Sequence, residues 1–272
     1  MPIYSDGRHE HGQNFLIDPA TRDRIVGLVA ATSGPIVEIG PGRGALTFSL
    51  QDLDRPLTAV EIDPRHVRWL QARAKPSTSI VEGDVLRWHL PRHPYVVVGN
   101  LPFHLTTAML RRLLHAPHWT DAVLLVQWEV ARRRAGIGGA TMMTAQWWPW
   151  VDFRLECRVP ASAFRPRPTV DGGLMVMARR ADPLVHRRDR DRYQGFVHAV
   201  FTGRGRGLVP ILSAVCGRRS RPGVTSWLRR EGLAGALPKD LTAAHWARLF
   251  ALADPRAGES ARTVVKGPLS RP

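Results

Sequence analysis

Hydrophobic and polar residues along the first two thirds of the chain follow the pattern of alternating strands and helices. Short apolar runs at residues 36–39, 57–62, 79–82, 95–99 and 121–127 predict buried strands. Between them, apolar residues recur every three or four positions, as at 19–31, 64–74 and 104–114, which predicts amphipathic helices. Because strands and helices alternate, we predict an α/β fold with an open, Rossmann-like sheet.

The pattern changes after residues 173–177, which we predict to be the last strand of that sheet. Charged residues replace apolar ones at 179–192, and residues 193–252 have the period of three or four helices broken by glycine-rich turns. We therefore predict a sheet domain at residues 13–180 and a small C-terminal helical domain at 181–253. Residues 1–12 and 254–272 show no periodicity, so we expect a flexible basic arm and a disordered tail.

The loop after the first strand carries the strongest chemical signal. Residues 38–44 read Glu-Ile-Gly-Pro-Gly-Arg-Gly, and glycines such as Gly40 and Gly42 allow a tight turn against which a ligand can lie. Glu61 ends the next strand, where a carboxylate can accept both ribose hydroxyls of an adenosine. This stretch predicts a nucleotide-binding turn.

Two later strands end in residues that indicate which nucleotide is bound. Asp84 and Asn100 follow these strands, so they should share one crevice with Gly40 and Glu61. The glycine spacing lacks the step typical of nicotinamide dehydrogenases. Asn-Leu-Pro-Phe at residues 100–103 suits instead the transfer of a methyl group to an amine.

The exocyclic amine of a base is a poor nucleophile, because its lone pair is delocalised into the ring. The Asn100 side-chain carbonyl and the Leu101 backbone carbonyl are positioned to accept its two N–H groups and make the nitrogen more pyramidal. Pro102 fixes the backbone, while Phe103 offers a face for an extruded base. We expect catalysis here to consist mostly of positioning.

The amino-acid composition indicates a polyanionic partner. Lys and Arg number 39 against 23 Asp and Glu, a formal net charge of +16, which favours nucleic acid, although a solvated basic surface is the alternative. Candidate RNA contacts lie at a helix end and in a glycine-rich turn, namely Arg132, Arg133, Arg134, Arg204 and Arg206. Arginines at a helix end or in a flexible loop also occur without any ligand.

The remaining features set limits on the class of protein. We find no apolar stretch near membrane-spanning length and no leader, so we expect a cytoplasmic protein without membrane contact. Cys157 and Cys216 have no ligand-like spacing, and we expect reduced thiols and no metal site. The Trp-rich segment 146–150 resembles a stacking platform, but we favour a place in the core.

The motifs together resemble those of the rRNA adenine N6-methyltransferases, which include the Erm antibiotic-resistance enzymes and the small-subunit dimethyladenosine synthases. The resemblance covers residues 11–180 and rests on the motifs at 13–16, 38–44, 61–63, 83–84 and 100–103. It implies S-adenosylmethionine as cofactor, bound by Asn14, Leu16, Gly40, Gly42, Glu61, Ile62, Asp84, Val85 and Asn100. It also places Phe164, in the Phe-Arg-Pro-Arg-Pro segment, on the face of the target base opposite Phe103.

Segments 127–129 and 148–150 resemble the Erm branch more than the housekeeping one. That implies N6-methylation, single or double, of one adenine in large-subunit rRNA at the macrolide site, before full ribosome assembly, by a monomer. The methylation would confer resistance to macrolides, lincosamides and streptogramin B. The alternatives are a housekeeping small-subunit dimethyladenosine synthase and a non-catalytic RNA-binding relative.

Overall fold

The computed structural model describes residues 14–254, so the predicted arm at 1–12 and nearly all of the predicted tail at 254–272 lie outside the described residues. The strands are β1 (Phe15–Leu16), β2 (Ile36–Ile39), β3 (Leu57–Glu61), β4 (Thr78–Glu82), β5 (Tyr95–Asn100), β6 (Trp119–Gln127), β7 (Val151–Val159), β8 (Phe164–Arg165) and β9 (Gly172–Arg179). The α-helices are α1 (Pro19–Ala30), α2 (Thr47–Leu50), α3 (Pro64–Gln71), α4 (Thr106–His115), α5 (Trp128–Arg134), α6 (Met142–Trp147), α7 (Arg190–Thr202), α8 (Leu208–Val215), α9 (Arg221–Arg230) and α10 (Ala243–Ala253).

Seven strands form one sheet in the order β4-β3-β2-β5-β6-β9-β7. The five strands from β4 to β6 are parallel, and β9 runs antiparallel to β6. A small antiparallel pair of β1 and β8 places Leu16 opposite Phe164. The predicted α/β sheet is confirmed, and its parallel part brings the carboxyl ends of β2, β3, β4 and β5 to one edge.

Local sequence explains where the elements begin. Asp18 caps α1 and accepts the N–H of Thr21, and Asp63 caps α3 and accepts the N–H of Arg65, with Pro at the first helical position in both. Residues 95–98 of β5 are Tyr-Val-Val-Val and fully buried, as expected for a parallel strand covered on both faces.

The chain divides into two compact units. The first comprises residues 14–132 and 154–179 of the described chain, and the second comprises 133–153 and 180–254. The sequence pattern predicts a single boundary at 180/181, whereas the structure groups residues 133–153 with the helical unit. The physical reason is the Trp-rich segment, whose rings pack among the later helices.

The helical unit has an aromatic core. Trp147, Trp148 and Trp150 are 4%, 8% and 4% exposed, so the prediction that they are core residues is confirmed. The Trp150 and Tyr193 rings meet edge to face at 5.4 Å between centroids, and the Tyr193 hydroxyl donates to the Ala145 carbonyl. The middle segment is therefore part of the folding unit of helices α7 to α10.

The predicted last strand, at 173–177, is confirmed as β9, the last strand in chain order. The edge of the sheet beside it is formed by β7, which the sequence pattern did not predict. Strand β7 was missed, although Val151, Phe153 and Val159 alternate with charged positions as an edge strand requires. The glycine turn leads into the single turn of α2, which a 3₁₀ turn at residues 51–53 continues. No helix within residues 14–254 has the length and apolar character needed to cross a membrane.

Candidate active site

A pocket opens at the carboxyl ends of the parallel strands, in the first unit. Three stretches line it, namely residues 14–16, the glycine turn with Glu38, and residues 100–103. The structure thus brings together the predicted residues Asn14, Leu16, Gly40, Gly42, Asn100, Leu101, Pro102 and Phe103. The predicted residues Glu61, Ile62, Asp84, Val85 and Phe164 are not among those that line it.

The glycine turn is a cradle that side chains would fill. Gly40 and Gly42 have φ values of 63° and 56°, a region that favours glycine. The space where a Cβ of Gly40 would point is open. A Cβ on Gly42 would lie 2.8 Å from Cε1 of Phe15, a further pocket residue. A ligand can therefore approach the backbone at Gly40, while the position of Gly42 is fixed by packing.

The Glu61 carboxylate stabilises this turn by accepting backbone hydrogen bonds. Its Oε2 accepts the Gly42 N–H at 2.8 Å, and its Oε1 accepts the N–H groups of Ile62 and Asp63 at 2.8 and 2.9 Å. The residue is 1% exposed. A carboxylate has about four acceptor positions, so three such bonds leave one for a ribose hydroxyl. Ribose binding by Glu61 stays a prediction, and anchoring of the turn is its observed role.

Glu38 is a pocket residue that the motif pattern did not identify. It lines the pocket at the end of β2, is 1% exposed, and its Oε2 has no hydrogen-bond partner among the described residues. Burial, with a smaller contribution from the charge of Glu61, raises the pKa of Glu38 to about 8. The signal was visible in the sequence, because Glu38 is an acidic residue in an otherwise apolar strand that leads into the glycine turn.

Asn100 is oriented by the backbone of Asn14. Its Nδ2 donates to the Asn14 carbonyl oxygen at 2.7 Å. Because a carbonyl can only accept, the amide nitrogen must face Asn14, and Oδ1 must point the other way. The acceptor that we predicted from the sequence is thus held in one orientation at the pocket wall.

The residues after Asn100 form a closed turn. Leu101 is 1% exposed and its N–H donates to the Leu125 carbonyl. The Pro102 carbonyl accepts from the Leu105 N–H and from the Thr106 hydroxyl, which ties the turn to the start of α4. Phe103 is half-buried at the pocket. The backbone of this motif is therefore rigid, and its aromatic ring is accessible.

Phe164 occupies a different environment from the one predicted. It is 3% exposed, belongs to the hydrophobic core of the first unit, and pairs with Leu16 through β8 and β1. Burial in the core prevents this conformation from offering the Phe164 ring to a base. The residue supports the pocket indirectly, since Leu16 on the partner strand lines it.

Asp84, Val85 and Ile62 lie near the strand ends but outside the pocket wall. Asp84 Oδ1 accepts the Leu86 N–H at 2.8 Å, and its Oδ2 is 3.9 Å from Nε of Arg87. Val85 is half-buried, and Ile62 is 49% exposed. Asp84 therefore caps a turn, and its predicted contact with the cofactor adenine stays a prediction.

The predicted RNA contacts are of two kinds. Arg132 pairs with Glu129 at 2.8 Å, and Arg134 donates to the Thr141 hydroxyl. Arg133, Arg204 and Arg206 are exposed. The last two lie in the turn between α7 and α8, where Gly205 and Gly207 have positive φ values. These exposed arginines are better placed for a phosphate than the two engaged ones.

The residues of the pocket fit a nucleoside cofactor whose amino acid end carries an ammonium group. The open space at Gly40 admits a ligand against the backbone. The Oε2 of Glu38 has no hydrogen-bond partner among the described residues, and an ammonium group beside it would oppose the effect of burial that raises the Glu38 pKa. Asn14, Leu16, Gly40 and Gly42 would hold such a group, with Glu38 beside them.

Comparison with known proteins gives consistent matches. Residues 4–251 match the profile of the family described as ribosomal RNA adenine dimethylase. The chain is 56% identical to an rRNA adenine N-6-methyltransferase of Corynebacterium diphtheriae, over 78% of this chain and 84% of that protein. It is 49% identical to the mycinamicin-resistance protein MyrB of Micromonospora griseorubida, over 90% and 79% of the two chains.

A solved structure matches as well. The crystal structure of the 23S rRNA methyltransferase ErmE is similar with a TM-score of 0.80 and 33% sequence identity. The match covers 89% of this chain and all of that one.

Proposed function

The chain belongs to the ribosomal RNA adenine dimethylase family, and from this we propose that it methylates N6 of one adenine in large-subunit rRNA with S-adenosylmethionine. The relatives at 56% and 49% identity and the structural match at 33% all support this proposal. The observation that carries it is the orientation of Asn100, whose amide nitrogen is held by the Asn14 carbonyl.

The glycine turn and its neighbouring residues would bind the cofactor. S-adenosylmethionine supplies a methyl group on a sulfonium, which is the electrophile. The open space at Gly40 would let the cofactor lie against the backbone, and the packed Gly42 would keep the turn in shape. Glu38 would offer a buried oxygen to the ammonium group. Asp84 would accept a hydrogen bond from the adenine amine of the cofactor, and Glu61 keeps the turn in shape through the Gly42 N–H.

Asn100 and Leu101 then act on the substrate amine. The Asn100 Oδ1, directed away from Asn14, accepts one N–H of the target amine, and the Leu101 carbonyl accepts the other. Two acceptors on one nitrogen favour a pyramidal geometry, which frees the lone pair for the methyl group. Because the Asn14 carbonyl holds the Asn100 amide and the Leu125 carbonyl holds the Leu101 N–H, both acceptors would need little reorganisation at the moment of reaction.

Phe103 receives the base. An adenine within an RNA structure must leave its stack to reach the pocket, and a flat aromatic face offsets part of that cost. The half-buried ring of Phe103, at the end of the motif, is accessible for stacking. A Phe at this position provides a stacking face and carries no hydroxyl.

The biological consequence that we propose is resistance to macrolides, lincosamides and streptogramin B. A relative that is named for mycinamicin resistance, and that aligns over 90% of this chain, supports this assignment. We further propose that the substrate is rRNA before full ribosome assembly and that the enzyme acts as a cytoplasmic monomer. The net charge of +16 and the exposed Arg204 and Arg206 are suited to an RNA backbone.

The test is methyl transfer to RNA of known origin. Purified protein is incubated with methyl-labelled S-adenosylmethionine and with protein-free large-subunit rRNA, protein-free small-subunit rRNA or assembled subunits. We expect label in one large-subunit adenine of protein-free rRNA, and mass spectrometry of that nucleoside counts the methyl groups. Label confined to small-subunit rRNA would indicate the housekeeping activity. Cofactor binding without any label would indicate a non-catalytic relative.

A further inference from the structure

The connection between β4 and β5 is unusual in an otherwise regular sheet. Residues 83–94 contain neither a helix nor a strand, although a helix is the common crossover between parallel strands. This connection begins with Asp84, the carboxylate proposed to meet the cofactor adenine. Without a helix to hold it, its conformation depends on individual side-chain contacts.

Asp84 secures one end of this connection. Its Oδ1 accepts the Leu86 N–H at 2.8 Å, and its backbone carbonyl accepts the N–H groups of Arg87 and Trp88, both at 2.8 Å. These bonds define a single turn over residues 84–88. The direction of the Asp84 carboxylate is therefore coupled to the positions of Leu86 and Trp88.

Arg112 of α4 holds the other side of the same turn. Its Nη1 donates to the Leu86 carbonyl at 2.7 Å, and its Nη2 donates to the Trp88 carbonyl. The guanidinium thus bridges two carbonyls of the turn with its two terminal nitrogens, a geometry that a lysine ammonium does not reproduce. Helix α4 starts directly after the turn that carries Phe103, so Arg112 joins the catalytic segment to the Asp84 turn.

The surroundings of Arg112 show that this contact is specific. Within residues 14–254 Arg112 forms no ion pair with a carboxylate, and its Nε is buried without a hydrogen-bond partner. Burial raises the pKa of Tyr95 to about 12, and the charges of Arg179 and, to a smaller extent, Arg112 oppose that rise. Arg112 is half-buried, and its two terminal nitrogens form charge-assisted hydrogen bonds with the Leu86 and Trp88 carbonyls.

We propose that Arg112 is a positioning residue for the cofactor, which holds the Leu86 and Trp88 carbonyls and so aims the Asp84 carboxylate at the adenine amino group. This inference rests on the proposed function, because it requires that a cofactor with an adenine occupies the crevice. Arg112 touches neither the cofactor nor the substrate in this arrangement. Its effect is confined to recognition of the adenine edge.

The test compares two ligands that differ only at this edge. S-adenosylhomocysteine has an amino group where S-inosylhomocysteine has a carbonyl, which a carboxylate would repel. Calorimetry on the wild-type protein should show tighter binding of the adenosine form. In Arg112→Met and Arg112→Lys, we expect the ratio of the two dissociation constants to fall by about tenfold or more, while kcat at saturating S-adenosylmethionine stays within about threefold.

Arg111→Met is the matched control. Arg111 precedes Arg112 on α4 and is exposed, so its substitution removes the same charge and leaves the hydrogen bonds to the Leu86 and Trp88 carbonyls in place. It should leave the ratio unchanged. A wild-type ratio retained by both Arg112 variants, an equal loss in Arg111→Met, or Arg112 variants that fail to fold by circular dichroism would each overturn the proposal. A wild-type protein that binds neither ligand would instead refute the proposed function.

Discussion

The amide nitrogen of Asn100 donates to the backbone carbonyl of Asn14 at 2.7 Å, across 86 positions of the chain. This bond determines which end of the amide faces the pocket. A side chain that cannot donate at this position loses the orientation even when it retains an oxygen. The relationship therefore separates the roles of the two amide ends.

Replacing Asn100 tests both roles. In Asn100→Ala we expect turnover to fall by about a hundredfold or more, with the cofactor dissociation constant within about tenfold of wild type. In Asn100→Asp we expect a similar loss, because a carboxylate would face the Asn14 carbonyl without a hydrogen to donate. Single-turnover methyl transfer and calorimetry provide the two values. Wild-type turnover in either variant would refute the acceptor role.

Phe103 should tolerate one substitution and not another. Phe103→Tyr keeps the flat ring, so we expect methylation of large-subunit rRNA to continue at a comparable rate. Phe103→Ala removes a stacking interaction worth about 1–3 kcal/mol per base, and we expect kcat/KM for RNA to fall by about tenfold to a hundredfold. Steady-state kinetics with RNA as the varied substrate measures this. Equal activity of the alanine variant would place the base elsewhere.

We expect Glu38 to make the free energy of unfolding depend on pH between about 4.5 and about 8. Burial raises the pKa of Glu38 from 4.5 to about 8 in the folded state. Between these pH values the folded protein binds more protons than the unfolded chain. The stabilisation that the protonated Glu38 gives the folded state is therefore complete below about pH 4.5 and is lost as pH rises to about 8. Glu38→Gln cannot ionise and should become more stable relative to wild type as pH rises.

Thermal unfolding of both proteins at about pH 5.5 and about pH 8.5 checks this difference. The Asp63 carboxyl, whose pKa is lowered to about 2 by its hydrogen bond with the Arg65 side chain, contributes only on the acid side, outside this window. If the unfolding temperatures of wild type and Glu38→Gln differed by the same amount at both pH values, the raised pKa of Glu38 would be contradicted.

Gly42 should not accept a side chain. Gly42→Ala would put a Cβ 2.8 Å from the Phe15 ring at a φ of 56°. The left-handed conformation alone costs about 1–2 kcal/mol, so we expect lower stability and weaker cofactor binding. Gly27→Ala is the control, because Gly27 lies in α1 with open space at its Cβ. That change should stabilise the protein by about 0.4–1 kcal/mol, as chemical denaturation would show.

The exposed arginines between α7 and α8 should contribute to RNA affinity through charge. Arg204→Ala combined with Arg206→Ala should weaken RNA binding and lower the slope of log affinity against log salt by about one for each phosphate that is no longer neutralised. Arg22→Ala with Arg24→Ala removes the same charge from residues that are paired with Asp23 and Glu156. An equal change of slope in both double variants would mean that net charge alone acts.

The sheet and the pocket could be predicted from the sequence because both depend on local signals. Strand ends, glycines and the residues 100–103 are read from neighbouring positions, and parallel topology then brings them to one edge. Phe164 could not be placed in this way, since its burial depends on pairing with Leu16 from the other end of the domain. Arg112 was equally hidden, because its partners are backbone carbonyls that no residue type reveals.

The extent of the helical unit could likewise not be predicted from the sequence alone. The charged stretch at 179–192 marks one boundary of this unit. The Trp-rich segment, which precedes β7 and β9 in the chain, belongs to the same unit. The sequence correctly predicted burial of these rings and did not identify their partners. Which aromatic side chains meet, such as Trp150 and Tyr193, follows only from tertiary packing.

The helical unit is made of a middle segment and the end of the chain, so it is not a module that a stop codon can cleanly delete. Truncation after residue 180 would leave Trp147, Trp148 and Trp150 in the nascent chain without Tyr193, which Trp150 contacts in the full-length protein. Indole rings left on a surface favour self-association. A shortened reading frame is therefore expected to yield an aggregating product and a drug-sensitive cell, rather than a smaller enzyme that has merely lost affinity for RNA.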